Sequence, residues 1–177
     1  MVGEIERALQ AFHSMKVRQI TPPITSMPIV EEESAIVDVL KILRTRHHVW
    51  VVRSRESMEL TGVIRYLDVV DILLPPTRQR ARLGSISSML KSIMAGAEKA
   101  RDIMERNVLT VEEEATVLEA LEKMKRYRVA ILAITDERGK LKGEISLRLL
   151  INEFIRLMRV GGAQWTQRGS SSRLESP

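Results

Sequence analysis

The chain carries one long internal repeat, and that repeat limits what it can fold into more than any other feature. VEEESAIVDVLKIL at 30–43 returns as VEEEATVLEALEKM at 111–124, and a slide of 81 residues aligns 30–70 with 111–151 without a gap. Nine of the 41 paired positions are identical: Val30/Val111, the glutamates at 31–33 and 112–114, Leu40/Leu121, Glu56/Glu137, Leu60/Leu141, Gly62/Gly143 and Ile64/Ile145. Ahead of this block, VRQI at 17–20 matches ARDI at 100–103 in a register shifted by two. A unit of about 55–60 residues present twice is a duplicated domain rather than a solenoid, which needs at least three shorter repeats.

Both copies change periodicity in the same order. A short β-type run ends in EEE, and apolar residues then follow at helical spacing: Ile36, Val39, Leu40, Leu43 in one copy and Val117, Ala120, Leu121, Met124 in the other. The glutamates read as a helix-start signal, with Arg44 and Arg46 or Lys125, Arg126 and Arg128 at the far end, the signs that suit the helix dipole. VWVV (49–52) or VAILAI (129–134) follows, then a turn, a strand holding the shared glycine (60–64 or 141–145) and a second helix (67–74 or 147–158). DERG at 136–139 is a good hairpin turn and SRESM at 54–58 a poorer one. Each copy reads β-α-β-β-α, so the expected fold class is α+β, a sandwich-like pair of repeats packed with pseudo-twofold symmetry around a shared core. The organisation expected is an N-terminal helix at 1–16, repeat 1 at 17–74, a linker with an amphipathic helix at 75–99, repeat 2 at 100–160 and a flexible tail at 161–177 in which Trp165 could dock.

Several function classes have little support. There is no cysteine, and the histidines are His13, His47 and His48, without the carboxylate spacing of a metal site or a triad. No Gly-x-x-x-x-Gly-Lys phosphate loop occurs, and Ser85, Ser87 and Ser88 resemble a helix start rather than a nucleophile elbow, so no enzyme is expected. No apolar run approaches the ~18 residues of a membrane span, and the N-terminus lacks a signal-type apolar block, so a cytoplasmic protein is expected. The net charge of +5 and the basic helix ends leave nucleic-acid binding open as an alternative, against which stands the shortage of aromatic stacking residues, six in all.

ARDIMERNVLTVEEEATVLEALEKM and MKRYRVAILAITDERGKLKGEIS resemble the cystathionine-β-synthase-type (CBS) domain, and the duplication resembles the tandem CBS pair, or Bateman module, over about 17–73 and 100–158. The resemblance implies a homodimer. It also implies an adenosine-containing ligand, AMP, ADP, ATP or S-adenosylmethionine, held in clefts between repeats, with no further cofactor and an unidentified protein target. With no output domain in the chain, that target would be a separate polypeptide.

Sites of this family are commonly marked by Gly, two apolar residues, Thr or Ser, any two residues, then Asp, with the carboxylate on the ribose and the hydroxyl near the phosphates. The first copy reads Gly62-Val63-Ile64-Arg65-Tyr66-Leu67-Asp68: Asp68 matches, and Arg65 replaces the hydroxyl residue. The second reads Gly143-Glu144-Ile145-Ser146-Leu147-Arg148-Leu149: Ser146 matches, and Leu149 cannot accept a hydrogen bond from a ribose. One functional cleft around Asp68 is expected, with Ile64 on the same strand and Val129, Ala130 and Ile131 bracketing the adenine. Arg65 would either bind phosphate or fill the site by pairing with Asp68. His48, with His47, resembles a basic pair that points at phosphates if the first hairpin is two residues longer; a cation at a helix C-terminus is the other reading. The family's usual proline on this strand is absent, Val52 and Ala133 standing there. A dimerisation module with degenerate clefts is a further alternative.

Overall fold

In a computed structural model, residues 2–73 and 98–168 are described. After helix α1 (Val2–Ser14), repeat 1 runs β1 (Ile29–Glu31), α2 (Ile36–Leu43), β2 (His48–Val52), β3 (Leu60–Arg65) and α3 (Asp68–Leu73). Repeat 2 runs β4 (Thr110–Glu112), α4 (Val117–Tyr127), β5 (Ile131–Thr135), β6 (Leu141–Ser146) and α5 (Leu147–Arg168), the same β-α-β-β-α order. α5 extends ten residues past 158, so the expected tail is helical through Arg168; Gly161 and Gly162 cost such a helix about 1 kcal/mol each without breaking it. The expected linker helix within 75–99 lies mostly outside the described residues.

Each repeat builds a three-stranded sheet, in the orders β1-β2-β3 and β4-β5-β6. β1 pairs parallel with β2, which requires a crossover connection, and α2 supplies it. β2 and β3 form an antiparallel hairpin that sets His48 opposite Arg65, Val49 opposite Ile64 and Val51 opposite Gly62, with a bulge between Val51 and Val52. Alternation then puts Val49, Val51 and Ile64 on one face, where they meet Val39 and Leu43 of α2 in a core that also takes Val30, Ala100 and Met104. In repeat 2 the buried face of α4 is Val117, Ala120 and Met124, the expected helical stripe.

By contact, the described residues form two compact units: one of 2–22, 110–134 and 143–168, the other of 23–73, 98–109 and 135–142. The opening segment of each sequence repeat therefore belongs with the body of the other. In the unit built on repeat 1, Ala100 N–H donates to Ser34 O, Arg101 N–H to Glu32 O and Ile36 N–H to Glu98 O. In the unit built on repeat 2, Val17 N–H donates to Ala115 O, Arg18 N–H to Glu113 O and Val117 N–H to Met15 O, the same three bonds. The tip of the second hairpin joins the first through Leu60 N–H to Gly139 O and Leu141 N–H to Met58 O. The DERG turn forms as expected, with Gly139 at φ +74° and Asp136 Oδ1 accepting from the N–H groups of Arg138 and Lys140. In the first unit named, α1 is tied to α5 by Phe12 against Phe154, ring centroids 5.4 Å apart.

This exchange of segments corrects the reading of the glutamate run as a helix start. Glu33 forms ion pairs with Lys99 and Arg101, and its equivalent Glu114 pairs with Arg18 at 2.8 Å. The helix starts proper are Ala35 and Thr116, and it is Thr116 that caps, accepting from Glu119 N–H while the Glu119 carboxylate accepts from Thr116 N–H. The glutamates lie too early for the first helical turn; the third of each run holds an opening segment instead, and Glu31 Oε1 accepts from Arg55 N–H at 2.6 Å.

Candidate functional site

The expected site residues at the end of the β2–β3 hairpin come together in one unit. β3 delivers Arg65 to an exposed position, and the register sets His48 directly across from it, with Cβ atoms at the ~5 Å typical of opposed residues. The chain is then turned by Tyr66 N–H donating to His47 O at 2.8 Å, and Asp68 begins α3 three residues beyond Arg65. His47 and His48 each meet a ring edge-on, Tyr66 and Trp50, at centroid distances of 6.4 and 5.0 Å. The matching bond in repeat 2, Leu147 N–H to Ala130 O, makes His47 the counterpart of Ala130. The first hairpin is therefore two residues longer, which is the condition on which the histidine pair resembles the family's basic pair.

The Asp68 carboxylate does not pair with the Arg65 guanidinium. Its Oδ2 accepts from the backbone N–H of Arg65 at 2.8 Å, and among the described residues no carboxylate forms an ion pair with the Arg65 side chain. In repeat 2 the complementary half of this device appears: Ser146 Oγ accepts from Leu149 N–H at 3.2 Å. A hydroxyl at N-cap and an acid at N3 are the two halves of a capping box, so the family motif is also a helix-start motif, and each repeat has kept one half. The spacing of Ser or Thr and Asp was the signal for this role.

The Ile64 side chain is completely buried on the α2 face, on the other side of the strand from Arg65 and His48, so the backbone of Ile64 is what it presents at this end of the hairpin. Val129 and Ile131 are half-buried, Ala130 is exposed and Ser146 is half-buried; these four belong to the other compact unit. Among the described residues no group of three His, Cys, Asp or Glu could hold a metal ion, and no helix is long and apolar enough to cross a membrane.

Two matches to the CBS domain model, at 17–75 and 100–156, cover most of the chain, and the protein belongs to the CBS domain family as a tandem pair. No curated protein matches it. Among solved structures it is similar to CBSX2 from Arabidopsis thaliana in complex with AMP, at 16% identity and TM-score 0.65, covering 81% of this chain and 98% of that one. It is similar also to the CBS domain of a bacterial CNNM/CorC family Mg2+ transporter in complex with ATP, at 22% identity and TM-score 0.61, covering 86% and 96%. A CBS domain-containing protein from Bacillus anthracis matches at 16% identity and TM-score 0.62, covering 84% and 98%.

Proposed function

We propose that this CBS pair is a regulatory rather than a catalytic module, which binds an adenosine-containing ligand through Asp68 and passes the bound state to a separate protein. The observation that carries the reading is the Asp68 carboxylate: it is half-buried at the end of the glycine strand, and among the described residues its bond to Arg65 N–H engages a single oxygen. The other oxygen can accept from a ribose hydroxyl, a charge-assisted bond. The AMP and ATP carried by the similar CBS structures support the ligand class. Val129, Ala130, Ile131 and Ser146 enter this reading on the family resemblance alone. A homodimer is supported by exposed Leu147, Ile151, Ile155 and Met158, spaced along α5 at three and four residues. Regulation then requires that two states of the pair bind the ligand unequally.

Titration calorimetry with AMP, ADP, ATP and S-adenosylmethionine tests the ligand. Asp68→Asn keeps an acceptor for the Arg65 N–H but loses the charge, so its helix start is preserved while ribose binding weakens by roughly ten-fold or more. Saturable binding that is unchanged in Asp68→Asn would defeat the assignment of Asp68. No binding to folded wild-type protein would leave Asp68 as a helix cap and the pair as a dimerisation module.

A further inference from the structure

We infer that Arg65 makes this site selective for nucleotides with two or more phosphates over monophosphates and S-adenosylmethionine, an inference that rests on the adenosine reading of Asp68. At the same position repeat 2 has Ser146, whose hydroxyl caps α5. Arginine has no acceptor and cannot cap, so repeat 1 forgoes a local stabilisation and places an exposed guanidinium there. That guanidinium has no ion pair among the described residues, and Asp68, the nearest acid in sequence, is turned to the Arg65 backbone instead.

The chemistry of the side chain names its ligand. Where a short hydroxyl would meet the phosphate next to the ribose, the longer arginine carries its fork further out and can chelate two oxygens of a more distal phosphate. His48 is held opposite it by the strand register. A ligand anchored by its ribose at Asp68 therefore meets the guanidinium with its second and third phosphates. A monophosphate ends before it, and the sulfonium of S-adenosylmethionine has the wrong sign.

Calorimetry on the full chain with AMP, ADP, ATP, S-adenosylmethionine and inorganic tripolyphosphate, repeated for Arg65→Ser, provides the test. Arg65→Ser restores the capping hydroxyl of repeat 2, so it is expected to fold at least as well as wild type, with thermal unfolding as the check. The expected result is ATP and ADP bound about ten-fold or more tighter than AMP by wild type, with that preference abolished in Arg65→Ser through weaker ATP and ADP binding. Equal affinity for AMP and ATP, or a preference that survives Arg65→Ser, overturns the inference and leaves the adenosine reading standing. Arg65-dependent binding of tripolyphosphate without binding of any adenosine compound would uphold phosphate selection and overturn the adenosine reading; no binding of any compound would overturn both.

Discussion

Gly62 and Gly143 occupy the same place in β3 and β6, and each is crowded by the same position of an opening segment. A Cβ on Gly62 would lie 2.6, 2.7 and 2.9 Å from Met104 Sδ, Cγ and Cβ, and a Cβ on Gly143 would run into the Thr21 methyl. Thr21 is β-branched and its hydroxyl is tied to Val17 O at 2.8 Å, so it cannot swing away cheaply. Gly143→Ala should therefore cost about 1–3 kcal/mol. Thr21→Ser, which removes the offending methyl and keeps the hydroxyl, should recover most of it in a double-mutant unfolding cycle. Gly62→Ala should not be rescued in the same way by Met104→Ala, because the Met104 Cβ itself is in contact. A second residue-scale expectation concerns Asp136. The N–H of Lys140 first, then the ammonium of Lys142 and the N–H of Arg138, hold its carboxyl below the ordinary value. A lowered folded-state pKa means stability present above the carboxylate range and lost as pH falls through it. Asp136→Asn should flatten the dependence of the unfolding temperature on pH from about 5 to 2.

The two repeat helices are built alike and started differently. α4 has the Thr116–Glu119 capping box and ends at Arg128 in the left-handed region at φ 53°, whereas α2 starts at Ala35 with no side-chain cap. Ala35 has extended backbone dihedrals, φ −63° and ψ 141°, that suit an N-cap, and it is exposed. Ala35→Thr should therefore stabilise the fold by about 1 kcal/mol, read as a raised denaturation midpoint at unchanged slope. The repeat thus identifies its own missing cap. In the opposite sense, the strand glycines and the third glutamate of each EEE run make the same contact in both units.

At the scale of the molecule, neither compact unit is made from one sequence repeat. The unit built on repeat 1 needs Ala100 and Met104 in its core and the Glu33 pairs to Lys99 and Arg101, all supplied from beyond residue 97. A chain ending at 97 should lose cooperative unfolding, as seen by calorimetry or amide dispersion, because its core is left open. Glu33→Gln alone should change stability by no more than about 1 kcal/mol, since these are exposed ion pairs. A bound ligand at 100 times its Kd would add about 2.7 kcal/mol to the folded state, so a nucleotide that binds must also raise the melting temperature.

Much of this protein was legible in its sequence. The 81-residue repeat, the switch from β to helical periodicity and the turn residues determined the order of elements and the class, because these depend on local backbone preference and on which face is apolar. Asp68 and Arg65 could be named because a strand–turn–helix motif with fixed spacing carries them, and His48 because it resembles the family's basic pair at the preceding strand. What only the tertiary structure decided was who pairs with whom. That the third glutamate of each EEE run clasps the other repeat's opening segment, that Asp68 turns to the Arg65 backbone rather than its guanidinium, and that Ile64 faces the core all depend on strand register and on contacts distant in sequence. Each repeat leaves part of its core to be completed by a segment from the other copy, and local sequence carries no record of that exchange until the chain closes on itself.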